Sequence, residues 1–259
     1  MPFAQINGIR LHYVTEGDSS KPCIVFSNSL GTDLRMWDSQ AAALAEDFFV
    51  VRYDTRGHGQ SLPASGLITI ADLGRDVVAL LDHLGIEGAH FCGISMGGIT
   101  GQWLGVSAPH RVKQLVLANT AACIGTPEGW SSRATMVRAE GMNPVAEGSA
   151  GRWFTPAFIE RQPEIVDTMI ARLRDQNGIG YAACCDALGA CDLRDAVASI
   201  PNRTLVIAGQ YDPVTTVADA QWLAGAIPNA QVAVLPASHL SNIEAAPEFT
   251  ALLRNFLAD

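Results

Sequence analysis

Apolar residues recur along this chain in two alternating patterns. Cys23 to Ser27 and Phe48 to Tyr53 are continuous runs rich in β-branched and aromatic residues, as in parallel strands covered on both faces. Ala89 to Cys92 is a shorter apolar run, and Lys113 to Asn119, Thr204 to Gly209 and Gln231 to Leu235 read as further strands. Between them lie stretches with helical spacing: Met36 to Ala45, Ile99 to Val106, Val217 to Ala226 and the amphipathic Pro247 to Leu257. Another helix begins at Thr69, an N-cap with Asp72 three residues on as an imperfect capping box and Ile68 facing Leu73 as a staple. Its apolar face is Leu73, Val77, Leu80, Leu81 and Leu84, and Gly85 stops it. At the amino end, Phe3 to Ile6 and Ile9 to Val14 alternate on either side of Asn7-Gly8, a strong hairpin signal.

Strands alternating with helices imply an α/β fold: a mostly parallel eight-stranded sheet with helices on both faces. The alternation lapses from Ala121 to Ser199, a section with short helical patterns, many Trp, Arg, Met and Gly, and no convincing strand. The chain therefore divides into a core, 1–120 and 200–259, and a helical cap, 121–199, inserted over one edge of the sheet.

Composition narrows the function classes. With 48% hydrophobic and 17% charged residues in 259, the chain can bury a large core. No stretch approaches the roughly 20 uninterrupted apolar residues of a membrane span, and Gln5, Asn7 and Arg10 interrupt any leader-like run. A formal charge of −9 disfavours nucleic acid and anionic membranes as partners. The six cysteines include the adjacent Cys184 and Cys185 but no C-x-x-C, which points to reduced thiols and a cytoplasmic home. Cys184, Cys185 and Cys191 have no histidine nearby and irregular spacing, so no metal site is expected.

Gly93-Ile94-Ser95-Met96-Gly97 stands where a strand turns directly into a helix. A serine between glycines at minus two and plus two in that setting has the G-x-S-x-G form of a nucleophile elbow. Read alone, it is also a glycine-rich connection whose serine satisfies backbone groups. Asp212 follows the strand ending at Gly209, and His239 follows the strand ending at Leu235. Asp212 before Pro213 could by itself be a turn initiator. Together, however, Ser95, Asp212 and His239 have the types, order and strand-end placement of a triad. His239 would take the Ser95 proton, and Asp212 would fix its tautomer. The Met96 amide, at a helix start, is one donor for an oxyanion, and the Leu30 amide, in the loop Asn28-Ser29-Leu30-Gly31, is assigned as the second.

On these residues the chain resembles the α/β-hydrolase superfamily over nearly its whole length. Asp54-Thr55-Arg56-Gly57-His58-Gly59-Gln60-Ser61 is similar to that family's D-x-R-G-x-G-x-S loop, which implies that Asp54 and Arg56 pin loops. The usual His-Gly of the oxyanion loop is replaced by Ser27-Asn28-Ser29-Leu30-Gly31-Thr32-Asp33, with Met36-Trp37 after it. That departure, together with Arg152-Trp153-Phe154-Thr155-Pro156 and the run Tyr181 to Leu193, resembles the bacterial 3-oxoadipate enol-lactonases. The resemblance implies a small-molecule lactone bearing a carboxylate as substrate, and no cofactor or metal. An anionic substrate needs a local cation, and Arg133, Arg138 and Arg152 lie in the cap beside Trp130 or Trp153. Each arginine also reads as a solvated surface residue, and each tryptophan as cap core. A general carboxylesterase or cofactor-free perhydrolase on the same triad, and a non-catalytic binding module of the same fold, are the rival readings. Oligomeric state is not legible.

Overall fold

The computed structural model describes residues 2–61 and 66–258. Strands β1 (Phe3–Ile6) and β2 (Ile9–Glu16) form the expected hairpin, with Asn7 and Gly8 at φ 44° and 73° in its turn. They are followed by β3 (Cys23–Ser27), helix α1 (Asp38–Leu44), β4 (Phe49–Tyr53), α2 (Ile70–His83), β5 (Ala89–Ile94), α3 (Met96–Ser107) and β6 (Val112–Ala118). Six helices come next: α4 (Pro127–Glu140), α5 (Asn143–Glu147), α6 (Ala150–Trp153), α7 (Pro156–Arg161), α8 (Pro163–Arg174) and α9 (Gly178–Gly189). The chain closes with β7 (Arg203–Gly209), α10 (Val217–Ala226), β8 (Ala230–Leu235), α11 (Ser241–Glu244) and α12 (Ala246–Leu257).

The eight strands form one sheet in the order β1-β2-β4-β3-β5-β6-β7-β8. Only the β1/β2 and β2/β4 pairings are antiparallel. Alternation along each inner strand sends successive residues to opposite faces. Ile24, Phe26, Cys92, Ile94, Val116, Ala118, Leu205 and Ile207 join one core cluster, while Val25, Phe91, Leu115, Leu117, Val206 and Ala208 join the other. This two-sided burial is why the inner strands are continuously apolar in sequence. The first cluster runs on into the helices between β6 and β7, through Val137, Phe154, Tyr181 and Leu188, so that section shares a core with the sheet.

Two helix starts depart from the sequence reading by two residues or more. The stretch expected as one helix from Met36 begins as a 3-10 turn, Leu34–Trp37, because the Asp33 carboxylate caps it by accepting the Arg35 amide. Helix α3 starts at Met96, three residues before the apolar run, since Gly97 and Gly98 are helical here despite their poor propensity. At Thr69 both halves of the capping box are present.

Asp54 and Arg56 tie the loop after β4 to its surroundings. Asp54 Oδ1 accepts the Leu34 amide at 2.8 Å, and its Oδ2 accepts from the Gln60 amide at 2.8 Å and pairs with His12 Nδ1 at 2.7 Å. Arg56 donates two bonds of 2.6 Å to Asp76 on α2, and both side chains are buried. No helix among the described residues is long and apolar enough to cross a membrane.

Candidate active site

Ser95 sits between β5 and α3 with φ 56° and ψ −114°, outside the regions open to an ordinary L-residue. Its backbone is held on three sides: its amide donates to Ala118 O at 3.0 Å, and its carbonyl accepts from Thr120 Oγ1 at 2.9 Å and the Ile99 amide at 3.0 Å. Strain of this kind persists only where surrounding bonds over-determine it. The flanking glycines are required by close approach. A Cβ at Gly93 would lie 2.1 Å from Gly97 O, and one at Gly97 would lie 2.3 Å from Ser27 O. Neither carbonyl can give way, so Gly97→Ala should cost about 1–3 kcal/mol or more. Thermal denaturation should show a melting temperature lower by several degrees, and an unchanged value would contradict the packing account.

Asp212, past the end of β7, accepts five hydrogen bonds. Its Oδ2 takes His239 Nδ1 at 2.8 Å, Thr215 Oγ1 at 2.8 Å and Asn119 Nδ2 at 3.0 Å, and its Oδ1 takes the amides of Val214 at 2.7 Å and Thr215 at 3.1 Å. Burial opposes its ionisation, but the adjacent His239 and the donated hydrogen bonds outweigh that, and the carboxyl lies below the usual aspartate range. A proton on His239 Nδ1 satisfies this bond and leaves Nε2 bare. Ser95 and His239 both line one cavity of about 200 Å³.

Ser29 and Leu30, in the loop after β3, line the same cavity. Among the described residues neither the Leu30 nor the Met96 amide donates to any protein acceptor, whereas the neighbouring Gly31 and Gly97 amides are bonded to His58 Nε2 and Asn28 O. Asn28 is itself fixed, donating to Tyr53 O at 2.8 Å and accepting from Trp37 Nε1 at 3.0 Å. Asn28 and Trp37 thus hold the loop from below.

Of the residues in 121–199 singled out in sequence, Trp130, Arg133, Arg152 and Trp153 line this cavity. Arg133 lies over the Trp130 ring at 5.0 Å. Arg152 donates to Val145 O at 3.1 Å and Ser149 Oγ at 2.7 Å. Among the described residues neither guanidinium is ion-paired with a carboxylate, in contrast to Arg35, Arg52, Arg56, Arg111 and Arg138. Burial, reinforced by the nearby Arg133, lowers the pKa of Arg152 from the usual arginine value. Arg138 is a correction to the sequence reading. It is exposed on α4, does not line the cavity, and is paired with Asp186 on α9. Five residues from Arg133, it points roughly 140° away around the helix.

Several contributors were given no role in the sequence reading. Asn119, directly after β6, has φ 44° and bridges Asp212 Oδ2, Ser238 O and Ser241 Oγ. Tyr181 lines the cavity beside Arg133, with a phenol pushed up to about 12 by burial. Glu244 accepts from the Ser238 amide at 2.8 Å and from Thr155, joining the His239 loop to the segment that carries Arg152 and Trp153. A second tie is the Leu240 amide on Trp153 O at 3.1 Å. The contacts of Asn119, the Thr155–Glu244 bond and the Leu240–Trp153 tie each join residues more than 80 apart in the chain, where local pattern carries no information.

The family model for the alpha/beta hydrolase fold matches residues 22–139. The chain is 51% identical to 3-oxoadipate enol-lactonase 2 of Acinetobacter baylyi over 236 residues, covering 91% of this chain and 88% of that protein. It is 44% identical to 3-oxoadipate enol-lactonase 1 of the same organism, covering 96% and 94%. The crystal structure of the enol-lactonase from Burkholderia xenovorans LB400 superposes with a TM-score of 0.98 at 45% identity, covering 100% of both chains. The resemblance carried by the elbow, the loop around Leu30 and the cap motifs thus extends along the whole chain, and this chain belongs to the α/β-hydrolase family.

Proposed function

We propose that this chain is a cytoplasmic serine hydrolase that opens 3-oxoadipate enol-lactone to 3-oxoadipate. The observation that carries the reading is two arginines, Arg133 and Arg152, that have no carboxylate partner among the described residues and share a small cavity with Ser95 and His239. In a chain of net charge −9 this is an unusual concentration of uncompensated positive charge. Opposite charges about 4 Å apart gain roughly 4 kcal/mol at an effective dielectric of about 20, enough to outweigh a diffuse, screened repulsion. The relatives named as 3-oxoadipate enol-lactonases support the same reading.

The substrate carboxylate lies on Arg133 and Arg152, with Trp130, Trp153 and Tyr181 walling the ring. His239 Nε2 removes the Ser95 proton as Oγ attacks the lactone carbonyl, and Asp212 stabilises the imidazolium while remaining ionised. The Leu30 and Met96 amides receive the oxyanion. Collapse breaks the ring C–O bond and releases an enol, a better leaving group than an alkoxide, which takes the proton from His239 and tautomerises to the ketone. Water, deprotonated by His239, then attacks the acyl-enzyme, the acyl C–Oγ bond breaks, and His239 returns the proton to Ser95 Oγ as the product acid leaves. The helices of 121–199 act as the cap that selects the substrate. Every step uses groups of this chain, and none calls for a metal or cofactor.

Arg133→Gln and Arg152→Gln should each raise KM for the acidic lactone about tenfold or more, the worth of a hydrogen bond to a charged group. Turnover of p-nitrophenyl acetate, which has no carboxylate, should be nearly unchanged. Arg138→Gln should leave both substrates alone. Spectrophotometric assay of freshly generated enol-lactone against the neutral ester checks all three variants. Equal loss on both substrates, or ester turnover by the wild type without lactone turnover, would turn the assignment toward a general carboxylesterase.

A further inference from the structure

The peptide units on either side of Leu30 are each fixed at one end. Ser29 O accepts from the Thr32 amide at 3.2 Å and from Thr32 Oγ1 at 2.8 Å. Because a trans peptide points its C=O and N–H in opposite directions, anchoring Ser29 O aims the Leu30 N–H away from Thr32. The next unit is anchored at its N–H, where the Gly31 amide donates to His58 Nε2 at 3.0 Å. His58 comes from a different loop, between β4 and α2, and is fully buried.

We propose that His58 is a positioning residue for the oxyanion hole, accepting the Gly31 amide so that the adjacent Leu30 amide stays directed at the Ser95 carbonyl site. The inference rests on the serine-hydrolase reading above. An acceptor at Nε2 requires the proton on Nδ1, and Nδ1 faces Arg56 O at 3.4 Å. Arg56 is clamped by Asp76, so the support runs from α2 through Asp76, Arg56 and His58 to Gly31. A protonated imidazole would set an N–H against the Gly31 N–H and push the loop away. The surroundings hold the ring neutral: burial disfavours the cation, outweighing the Arg56 carbonyl contact and the charges of Asp54 and Asp33. Tyr181 packs beside the ring at a centroid distance of 6.3 Å.

The test pairs His58→Leu, which has no acceptor, with His58→Gln, whose amide oxygen can replace Nε2. With folding checked by thermal denaturation, His58→Leu should lower kcat on p-nitrophenyl acetate and on the lactone alike by about tenfold or more, short of the full loss of an oxyanion donor. KM should stay within about twofold, and His58→Gln should recover most of kcat. A purely structural role would depress both variants in step with their melting temperatures, and that result overturns the proposal. If the leucine variant does not fold, imidazole nitrogen NMR of the wild type reads the same point. A bare Nε2 coupled to the Gly31 amide is expected, and a protonated Nε2 overturns it. Ser95→Ala, assayed in parallel, separates the two readings. Activity retained there defeats the serine mechanism, while a dead Ser95→Ala beside a fully active His58→Leu defeats the positioning role alone.

Discussion

Replacing Ser95 by alanine should lower kcat on both lactone and ester by roughly 10⁴- to 10⁶-fold, the range found when a triad nucleophile is removed. Stability should change little. Alanine keeps the Cβ that already tolerates φ 56°, and the Ser95 hydroxyl makes no hydrogen bond among the described residues, so its removal strands no partner. The elbow is fixed instead by backbone bonds to Ala118, Thr120 and Ile99, all of which survive the substitution. A folded variant with residual activity from oxyanion binding alone is therefore expected. Single-turnover assay beside a melting curve makes the comparison, and near-wild-type hydrolysis by a folded Ser95→Ala would end the covalent mechanism.

Asp212→Asn should lower kcat by about 10⁴-fold, through a conflict of donors. The wild-type carboxylate receives five donors, three at Oδ2 and two at Oδ1. An asparagine has one oxygen for them. If its oxygen faces the Val214 and Thr215 amides, its NH₂ meets His239 Nδ1 and can bond only to the tautomer that carries its proton on Nε2. That tautomer cannot accept the Ser95 proton. The opposite orientation sets the NH₂ against two backbone amides. Stability follows with a definite sign. Asp212 has a lowered pKa in the fold, so its contribution is fully present above the ordinary aspartate value of about 3.9 and is lost as pH falls through the lower folded value. The variant should be less stable than wild type near neutral pH, and the gap should narrow in acid. Denaturant titrations at several pH values would show this, and a gap constant with pH would contradict the linkage.

The strands and most helices were legible because their causes are local. Two-sided burial writes continuous apolar runs, as in β3 and β4, and Thr69 with Asp72 writes a capping box. The elbow was legible for a similar reason, since only glycine fits at 93 and 97 when carbonyls stand 2.1–2.3 Å from any added Cβ. Asp54 and Arg56 were read as loop pins from a resemblance, and their contacts with Leu34, Gln60, His12 and Asp76 show what they pin. Asn119 and Glu244 went unnamed because Asp212 and Thr155, their distant partners, are brought close only by the sheet order or by a loop crossing, and Thr215, three residues from Asp212, belongs to no motif of its own.

Sequence by itself determined the α/β architecture, the elbow and the order Ser95, Asp212, His239, since periodicity, turn chemistry and strand-end placement are properties of short stretches. Tertiary structure alone decided which arginines of 121–199 share a cavity with Ser95. Arg133 and Arg138 sit on one helix in the same composition, yet packing of α4 on α9 turns one inward and pairs the other with Asp186. It also decided the direction of the Leu30 amide, because a backbone N–H is common to every residue but proline and its aim is set by distant partners, here Thr32 and His58.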